Sequence, residues 1–319
     1  MFNLGLELEQ KQIKRQWEYS LPISIATIIV PYRAGAALSI YMYDIYNRDG
    51  FKPPDRTAFI LFAASTSILT SAKLLSSPIG TLTVSCAAMN NVMGWCSLTL
   101  AGTFAKGSGI AGLWVILISV GYVLFMFIIV RWSINRVHTF LIQRNNEMNH
   151  SFLIGIFLLL SLHHRFFCDT LDIHSFFGAF IVGVICLKSG QFTLELFEKI
   201  ELITVELLLP LFFAASGMRT SLASLNDKLY GDITVVIFAV DTLAKFLPAT
   251  LMTKCVTKRS WRFSTSVGIL MNTRGLIELI ALNIGLQLNI LSPRLFTMFL
   301  IIALVTTFMT SSLLWLVYL

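Results

Sequence analysis

The sequence predicts an all-α polytopic membrane protein, and three observations carry that prediction. Apolar stretches of about 20 residues, the length that crosses a bilayer as a helix, recur along the whole chain. Of the 319 residues, 56% are hydrophobic and only 13% are charged. Basic residues gather in the short segments between the apolar stretches. A net charge of +7 would also suit a nucleic-acid binder, but such proteins collect their basic residues on one soluble face or stripe. Here they punctuate the spans, so the expected partner is the lipid bilayer and not nucleic acid.

Apolar length and charged punctuation place ten spans at about 20–43, 57–75, 79–104, 110–132, 151–167, 173–188, 200–219, 231–256, 263–287 and 294–318. The segment through Glu18 is polar and of mixed charge, unlike a cleavable signal sequence, so the first span serves as the targeting element. Between the fifth and sixth spans His163, His164, Arg165, Asp169 and Asp172 crowd the connection of two short apolar runs, which can also be read as one tilted or re-entrant element. Ten crossings return both termini to one side. That side also holds the loops with Arg131, Arg136 and Arg144 and with Lys254, Lys258, Arg259 and Arg262, and the positive-inside rule makes it cytoplasmic. No linker or soluble domain interrupts the pattern, so residues 1–319 read as one membrane domain.

The ninth span is the unusual one, because Asn272, Thr273, Arg274, Gly275 and Glu278 lie near its middle. Ionisable groups at that depth are costly, face a protein interior or aqueous cavity, and mark ion paths. A glycine beside polar residues suggests an interrupted helix, the device by which transporters aim free backbone groups at a midplane substrate. Arg274 and Glu278 are four residues apart and can neutralise each other across one turn. The neighbouring Asn272, Thr273 and Gly275 supply oxygen atoms and backbone freedom that a purely structural pair does not need, so a functional reading is preferred. Asp241 and Lys245 share the same spacing on the eighth span and are expected to form an intrahelical pair. Local charge neutralisation and a transport role both remain open for them.

Other polar residues read as ordinary. His163, His164 and His174 fall at the predicted loop without co-ligands and read as solvated rather than as a metal site. Glu206 is expected near the membrane interface. Cys86, Cys96, Cys168, Cys186 and Cys255 are far apart and read as small buried apolar residues. No phosphate loop or hydrolase nucleophile motif is present, and no enzyme activity, cofactor or resident metal is expected.

Several stretches resemble the monovalent cation:proton antiporter-2 family, in particular its plant cation/H+ exchanger branch: GLELE at 5–9, GAFIVGVI at 178–185, PLFFAASGMRTSL at 210–222 and LMNTRGLIELIALNIGL at 270–286. The resemblance implies a sodium/proton antiporter-like fold in which two inverted repeats cross two broken helices at the ion site. On that mapping 57–75 is the first broken helix, 79–104 follows it with the ion-binding position, and 263–287 is the second broken helix. GLELE then lies at the end of the second helix of the family's core, so the first helices and the soluble C-terminal region are expected to be missing. The implied partners are a monovalent cation, K+ or Na+, and a proton, with a homodimer in the endomembranes or plasma membrane of a plant cell.

The site departs from the family pattern in two places. SCAAMNNVMGW at 85–95 resembles the run that ends in an Asn-Asp or Asp-Asp pair, and Asn90 and Asn91 stand at that pair. An amide coordinates a cation but does not titrate near neutral pH. Upstream, the first break lacks its usual proline, leaving Ser65, Thr66, Ser67, Thr70 and Ser71 to line a polar crossing. Lys245 occupies the position of a basic residue that pairs with the ion-binding carboxylate, and Asp241 is a candidate replacement for that acid. The implied function is secondary antiport of a cation for protons through Asn90, Asn91, Asp241, Lys245, Asn272, Thr273, Arg274 and Glu278. The competing class is a non-transporting truncated paralogue or modulator of full-length exchangers. A channel is a third reading.

Overall fold

The computed structural model describes residues 10–46, 55–70, 77–105, 121–134, 149–170, 175–186, 200–221 and 228–318, with a few isolated positions between them. All regular structure among these residues is helical. Among the described residues, five segments are long and apolar enough to cross a membrane: Gln16–Tyr43, Ile200–Met218, Tyr230–Thr257, Trp261–Gln287 and Pro293–Val317. The chain forms two compact units, one of Met1–Glu9 and Gly109–Ala215 and one of Gln10–Ser108 and Ser216–Leu319.

In the second unit, helix α1 (Gln10–Tyr46) runs through Pro22 and Pro31. Proline removes an intrahelical donor, which membrane helices tolerate where hydroxyl side chains and neighbouring helices satisfy the backbone. The carbonyls released are those of Glu18 and Thr27, one turn before each proline; Thr27 also back-bonds within the helix, donating its hydroxyl to Ile23 O at 2.9 Å and Ser24 O at 3.1 Å. Gly35 lets α1 approach α2 (Arg56–Ile68): a β-carbon there would come within 2.6 Å of Ser67 Oγ and 3.1 Å of Ala63 O. Small residues are the usual solution where helices associate without a hydrophobic drive from water. Asp55 caps α2 by accepting from Thr57 N at 3.2 Å. The helix stops at Ile68 without a proline, and Leu69 turns extended at ψ 139°. This matches the expected first break as far as Thr70; Ser71 and the rest of the 57–75 span up to residue 75 lie outside the described residues.

Helix α3 (Pro78–Ala105) packs on α1 and α2. It starts with proline at its first position, where the missing N–H costs nothing, behind Ser77, which accepts from Gly80 N at 3.0 Å. In the first unit, α4 (Gly121–Ile134) contains a π-turn over Met126–Val130, α5 (Asn149–Thr170) packs on α6 (Ser175–Ile185), and α7 (Ile200–Met218) leads back to the second unit. Of the crowded stretch, Asp172 lies outside the described residues, while His163, His164, Arg165 and Asp169 belong to α5, which packs closely on α6. Gly178 makes that possible, since a β-carbon there would lie 2.6 Å from His164 O.

Helix α8 (Lys228–Thr257) returns against α1 and α9 (Trp261–Met271). Gly268 on α9 faces α8 so closely that a β-carbon would sit 2.0 Å from Thr250 Oγ1. Residues Asn272–Gly275 interrupt the helix before α10 (Leu276–Gln287), as the ninth span predicts, and α11 (Pro293–Tyr318) completes the unit. The α9–α10 pair is the centre of this bundle: 78% of its spanning window is buried, against 22% for α11.

Two readings of polar and sulfur-bearing residues are corrected. His163 and His164 lie within α5 and not in a loop, and His164 is buried beside Tyr122, with ring centroids 5.8 Å apart; His174 lies outside the described residues. Cys86, Cys168 and Cys186 are buried as expected, but Cys96 and Cys255 are exposed. A small sulfur-bearing side chain is as compatible with a lipid-facing helix surface as with a core, which composition alone does not separate. Glu206 is exposed in a π-turn of α7.

Candidate functional site

The end of one helix meets the interruption of another in the second unit. The end of α2 presents Leu69 and Thr70, and the break between α9 and α10 presents Asn272–Gly275. Thr70 Oγ1 links them by donating to Met271 O at 3.3 Å. Both breaks leave backbone carbonyls without intrahelical donors, which must find partners inside a membrane protein.

Side chains from neighbouring helices supply several of these partners. Asn91 on α3 accepts from Thr70 N and donates to Thr70 O, both at 3.0 Å, holding the extended end of α2 by two reciprocal bonds. Lys245 on α8 is fully buried and donates its ammonium to Leu69 O. Across the crossing, Thr307 on α11 donates to Arg274 O, and Thr273 bonds Thr310 at 3.1 Å. Asn90, also fully buried, turns the other way and exchanges hydrogen bonds with Thr27 of α1.

The charge pattern differs from the sequence expectation in one pair. Arg274 and Glu278 do bridge, at 2.7 Å. Asp241 does not pair with Lys245, its neighbour one turn away; it pairs with Arg274 at 2.5 Å. A guanidinium carries five donors in a planar fork and can hold two carboxylates at once, whereas an ammonium is a compact charge on a flexible stem. Arg274 therefore gathers both acids, and Lys245 reaches the open carbonyl of α2. The four ionisable residues are each 5% exposed or less.

Two oxygens in this cluster, Asn272 Oδ1 and Glu278 Oε2, are buried and accept no hydrogen bond. Buried acceptors left unmatched are costly and call for a partner such as a water or an ion. The expected site residues thus converge: Asn91, Asp241, Lys245, Thr273, Arg274 and Glu278 all bond within the crossing, Asn272 lies in the break, and Asn90 sits on the adjacent α1 contact.

Sequence reasoning missed the threonines. Thr306, Thr307 and Thr310 repeat at helical spacing on the apolar α11, a polar stripe that could have marked the face turned to the break. It also missed how the PLFFAASGMRTSL stretch acts. Ser216 accepts from Asn283 Nδ2 at 3.0 Å, and Arg219 donates to Asn283 Oδ1 at 3.1 Å, clasping α10 one turn beyond Glu278.

Charged residues are thus buried where an interrupted helix meets the end of another inside a membrane bundle. The sequence model of the sodium/hydrogen exchanger transmembrane family matches residues 1–317, and the chain belongs to that family. It is 33% identical over 332 aligned positions to Cation/H(+) antiporter 19 of Arabidopsis thaliana, covering 100% of this chain and 40% of the relative. Na(+)/H(+) antiporter NhaS4 of Synechocystis sp. is 31% identical over 331 positions, covering 98% of this chain and 78% of the relative. K(+)/H(+) antiporter 1 of Saccharomyces cerevisiae is 29% identical over 336 positions, covering 100% and 38%. The chain spans about two-fifths of the length of the Arabidopsis relatives it matches. It is a multi-pass integral membrane protein related to cation/proton antiporters of the plant branch.

Proposed function

We propose that this chain forms the ion-handling bundle of a secondary antiporter that exchanges a monovalent cation, K+ or Na+, for protons, built from inverted repeats with about ten membrane-spanning helices. The observation that carries the reading is the buried crossing. Two helix breaks, two acids, two bases and two unmatched oxygens converge where transporters of this architecture bind their substrate. The relatives' names, which include K+/H+ and Na+/H+ antiporters, support the choice of ions.

The charge balance suggests how exchange is coupled. With Asp241 and Glu278 ionised and Lys245 and Arg274 protonated, the cluster is neutral. An arriving cation makes it +1, a costly state in a buried site, and release of one proton from Lys245 restores neutrality. The cation would take over Leu69 O from the ammonium and use Asn272 Oδ1 and Glu278 Oε2 as further oxygen ligands. Asn91 cannot titrate, so in this reading it shapes the break while Lys245, Asp241 and Glu278 carry the proton economy.

Vesicles containing the purified chain and a trapped pH dye test this. An imposed K+ or Na+ gradient should drive protons the opposite way, and Lys245→Ala should abolish the response. Absence of proton movement in the unsubstituted chain, with both ions, rejects the exchanger.

A second reading, a non-transporting relative that modulates full-length exchangers, is favoured by one contact. The Asn91 amide spends both its donor and its acceptor on the Thr70 backbone, a lock where the family pattern has a titratable acid. In the same vesicles a modulator moves no protons by itself.

A further inference from the structure

A cavity of about 240 Å³ opens at the end of the second unit where α1 and α3 begin, α8 ends and α9 begins, and Gln16, Tyr19, Pro78, Thr257, Arg259 and Phe263 line it. The turn beside it carries Lys258 and Arg259, with Lys254 on the last turn of α8 and Arg262 on the first turn of α9, and among the described residues none of these has a carboxylate within ion-pair distance. Glu18, on the same stretch of α1, is exposed.

The basic loop is held in place. Lys254 donates to Arg259 O at 2.6 Å, and its ammonium lies 5.3 Å from the Trp261 ring centroid. The Arg259 guanidinium lies 4.8 Å from the Phe263 ring centroid. Lys258 has a φ of 53°, the left-handed conformation with which helices commonly end, and its N–H closes α8 on Lys254 O at 3.1 Å. On the opposite wall, Gln16 donates to Thr81 Oγ1 at 3.1 Å, while its Oε1 is buried and accepts nothing.

The positive-inside rule accounts for basic residues at this end, but not for their fixed arrangement at the mouth of a cavity. Unneutralised cations call for an anionic oxygen, and an unmatched acceptor calls for a hydroxyl donor. The exposed Trp17, Tyr19 and Trp261 are the residue types that settle at the headgroup level of a bilayer. We propose that this cavity binds the headgroup of an anionic, hydroxyl-bearing phospholipid such as phosphatidylglycerol. Its phosphate lies against Lys258 and Arg259, and a headgroup hydroxyl donates to Gln16 Oε1. The acyl chains lie outside, along the exposed apolar faces of α1 and α8 that carry Ile25, Ile29, Leu247 and Leu251. The assignment is independent of whether the chain transports.

The test is thermal unfolding of the purified full chain in neutral detergent, titrated separately with dioctanoyl-phosphatidylglycerol, dioctanoyl-phosphatidylcholine, dioctanoyl-phosphatidic acid and glycerol 3-phosphate. Phosphatidylglycerol should raise the unfolding midpoint saturably while phosphatidylcholine does not. Arg259→Gln, and independently Lys258→Gln, should each shift half-saturation about fivefold, the effect of one basic side chain at an anionic surface. Gln16→Leu should weaken phosphatidylglycerol but leave phosphatidic acid, which lacks the hydroxyl, unchanged. Equal responses to the glycerol and choline lipids, or unaltered titrations in both basic-residue variants, overturn the site. Equal stabilisation by glycerol 3-phosphate makes it a soluble-phosphate site and overturns the lipid assignment. Equal weakening of phosphatidic acid by Gln16→Leu overturns the hydroxyl contact.

Discussion

Replacing Arg274 by Gln removes the one side chain that touches both buried acids. Arg274 meets Asp241 at 2.5 Å and Glu278 at 2.7 Å. At an effective dielectric of about 20, each contact is worth on the order of 6 kcal/mol of gross Coulomb energy, much of it offset by the cost of taking the charges out of water. The net loss on removing one partner of such a buried set is about 3–5 kcal/mol, because the remaining charges stay buried and uncompensated. Arg274→Gln leaves two acids against one base, Lys245. Adding Glu278→Gln returns the cluster to one acid and one base, so the double variant should recover part of the loss and show a coupling energy of about 1–3 kcal/mol in a double-mutant cycle. Unfolding of the purified chain in detergent, followed by denaturant titration, measures all four corners. A single-variant loss below about 1 kcal/mol, or strictly additive effects, would falsify the argument that Arg274 neutralises both acids.

Three further outcomes follow from the same geometry. Gly268→Ala places a β-carbon 2.0 Å from Thr250 Oγ1 and 3.1 Å from Phe246 O, so it should destabilise by about 1–3 kcal/mol; adding Thr250→Ala should recover part of this in the same unfolding assay, and no recovery would mean that the Phe246 carbonyl sets the limit. Asn91→Asp keeps the bond from Thr70 N but, when ionised, turns a carboxylate oxygen toward Thr70 O in place of a donor; the protonated acid can still donate. That variant should therefore be more stable at low pH and lose about 1 kcal/mol or more as pH rises, and a pH-independent difference from the parent chain argues against the reciprocal bonds. In the vesicle assay Lys245→Ala should abolish proton movement. Preserved pH-dependent exchange in that variant would transfer the proton-carrying role to Asp241 or Glu278.

Much of the bundle was legible because the bilayer restricts the alternatives. A span of about 20 apolar residues has one regular structure available, and polar residues inside such a span must point at one another. That is why the ninth span, with Asn272 to Glu278, was recognised as interrupted. It is also why Arg274 and Glu278, four apart on one segment, were found bridged. Pairing between helices was not legible. The Asp241–Lys245 expectation rested on spacing within α8 alone, and spacing says nothing about a guanidinium arriving from the next helix with more donors to offer. The histidines failed for a related reason. Charged neighbours at 163–172 look like a loop in sequence, but α5 continues to Thr170 and places His164 against Tyr122 and close to the Gly178 backbone.

The position of Asn91 ties the structure to the proposed exchange. In a bundle where Lys245 already satisfies Leu69 O and Arg274 already satisfies two acids, an additional carboxylate at residue 91 would bring the fixed charge to three acids and two bases. A bound cation would then complete neutrality without any proton leaving. With the amide, neutrality is complete before the cation arrives, so entry of the ion must expel a proton or not occur. On the proposed mechanism, the amide at residue 91 would therefore leave proton release to Lys245, the base that does not hold the two acids. Asn91→Asp should accordingly raise cation occupancy at low ion concentration while loosening the link between cation entry and proton release. Cation-binding measurements alongside vesicle flux separate the two effects, and a variant that binds no more tightly than the parent chain would break the link between the charge count and the transport cycle.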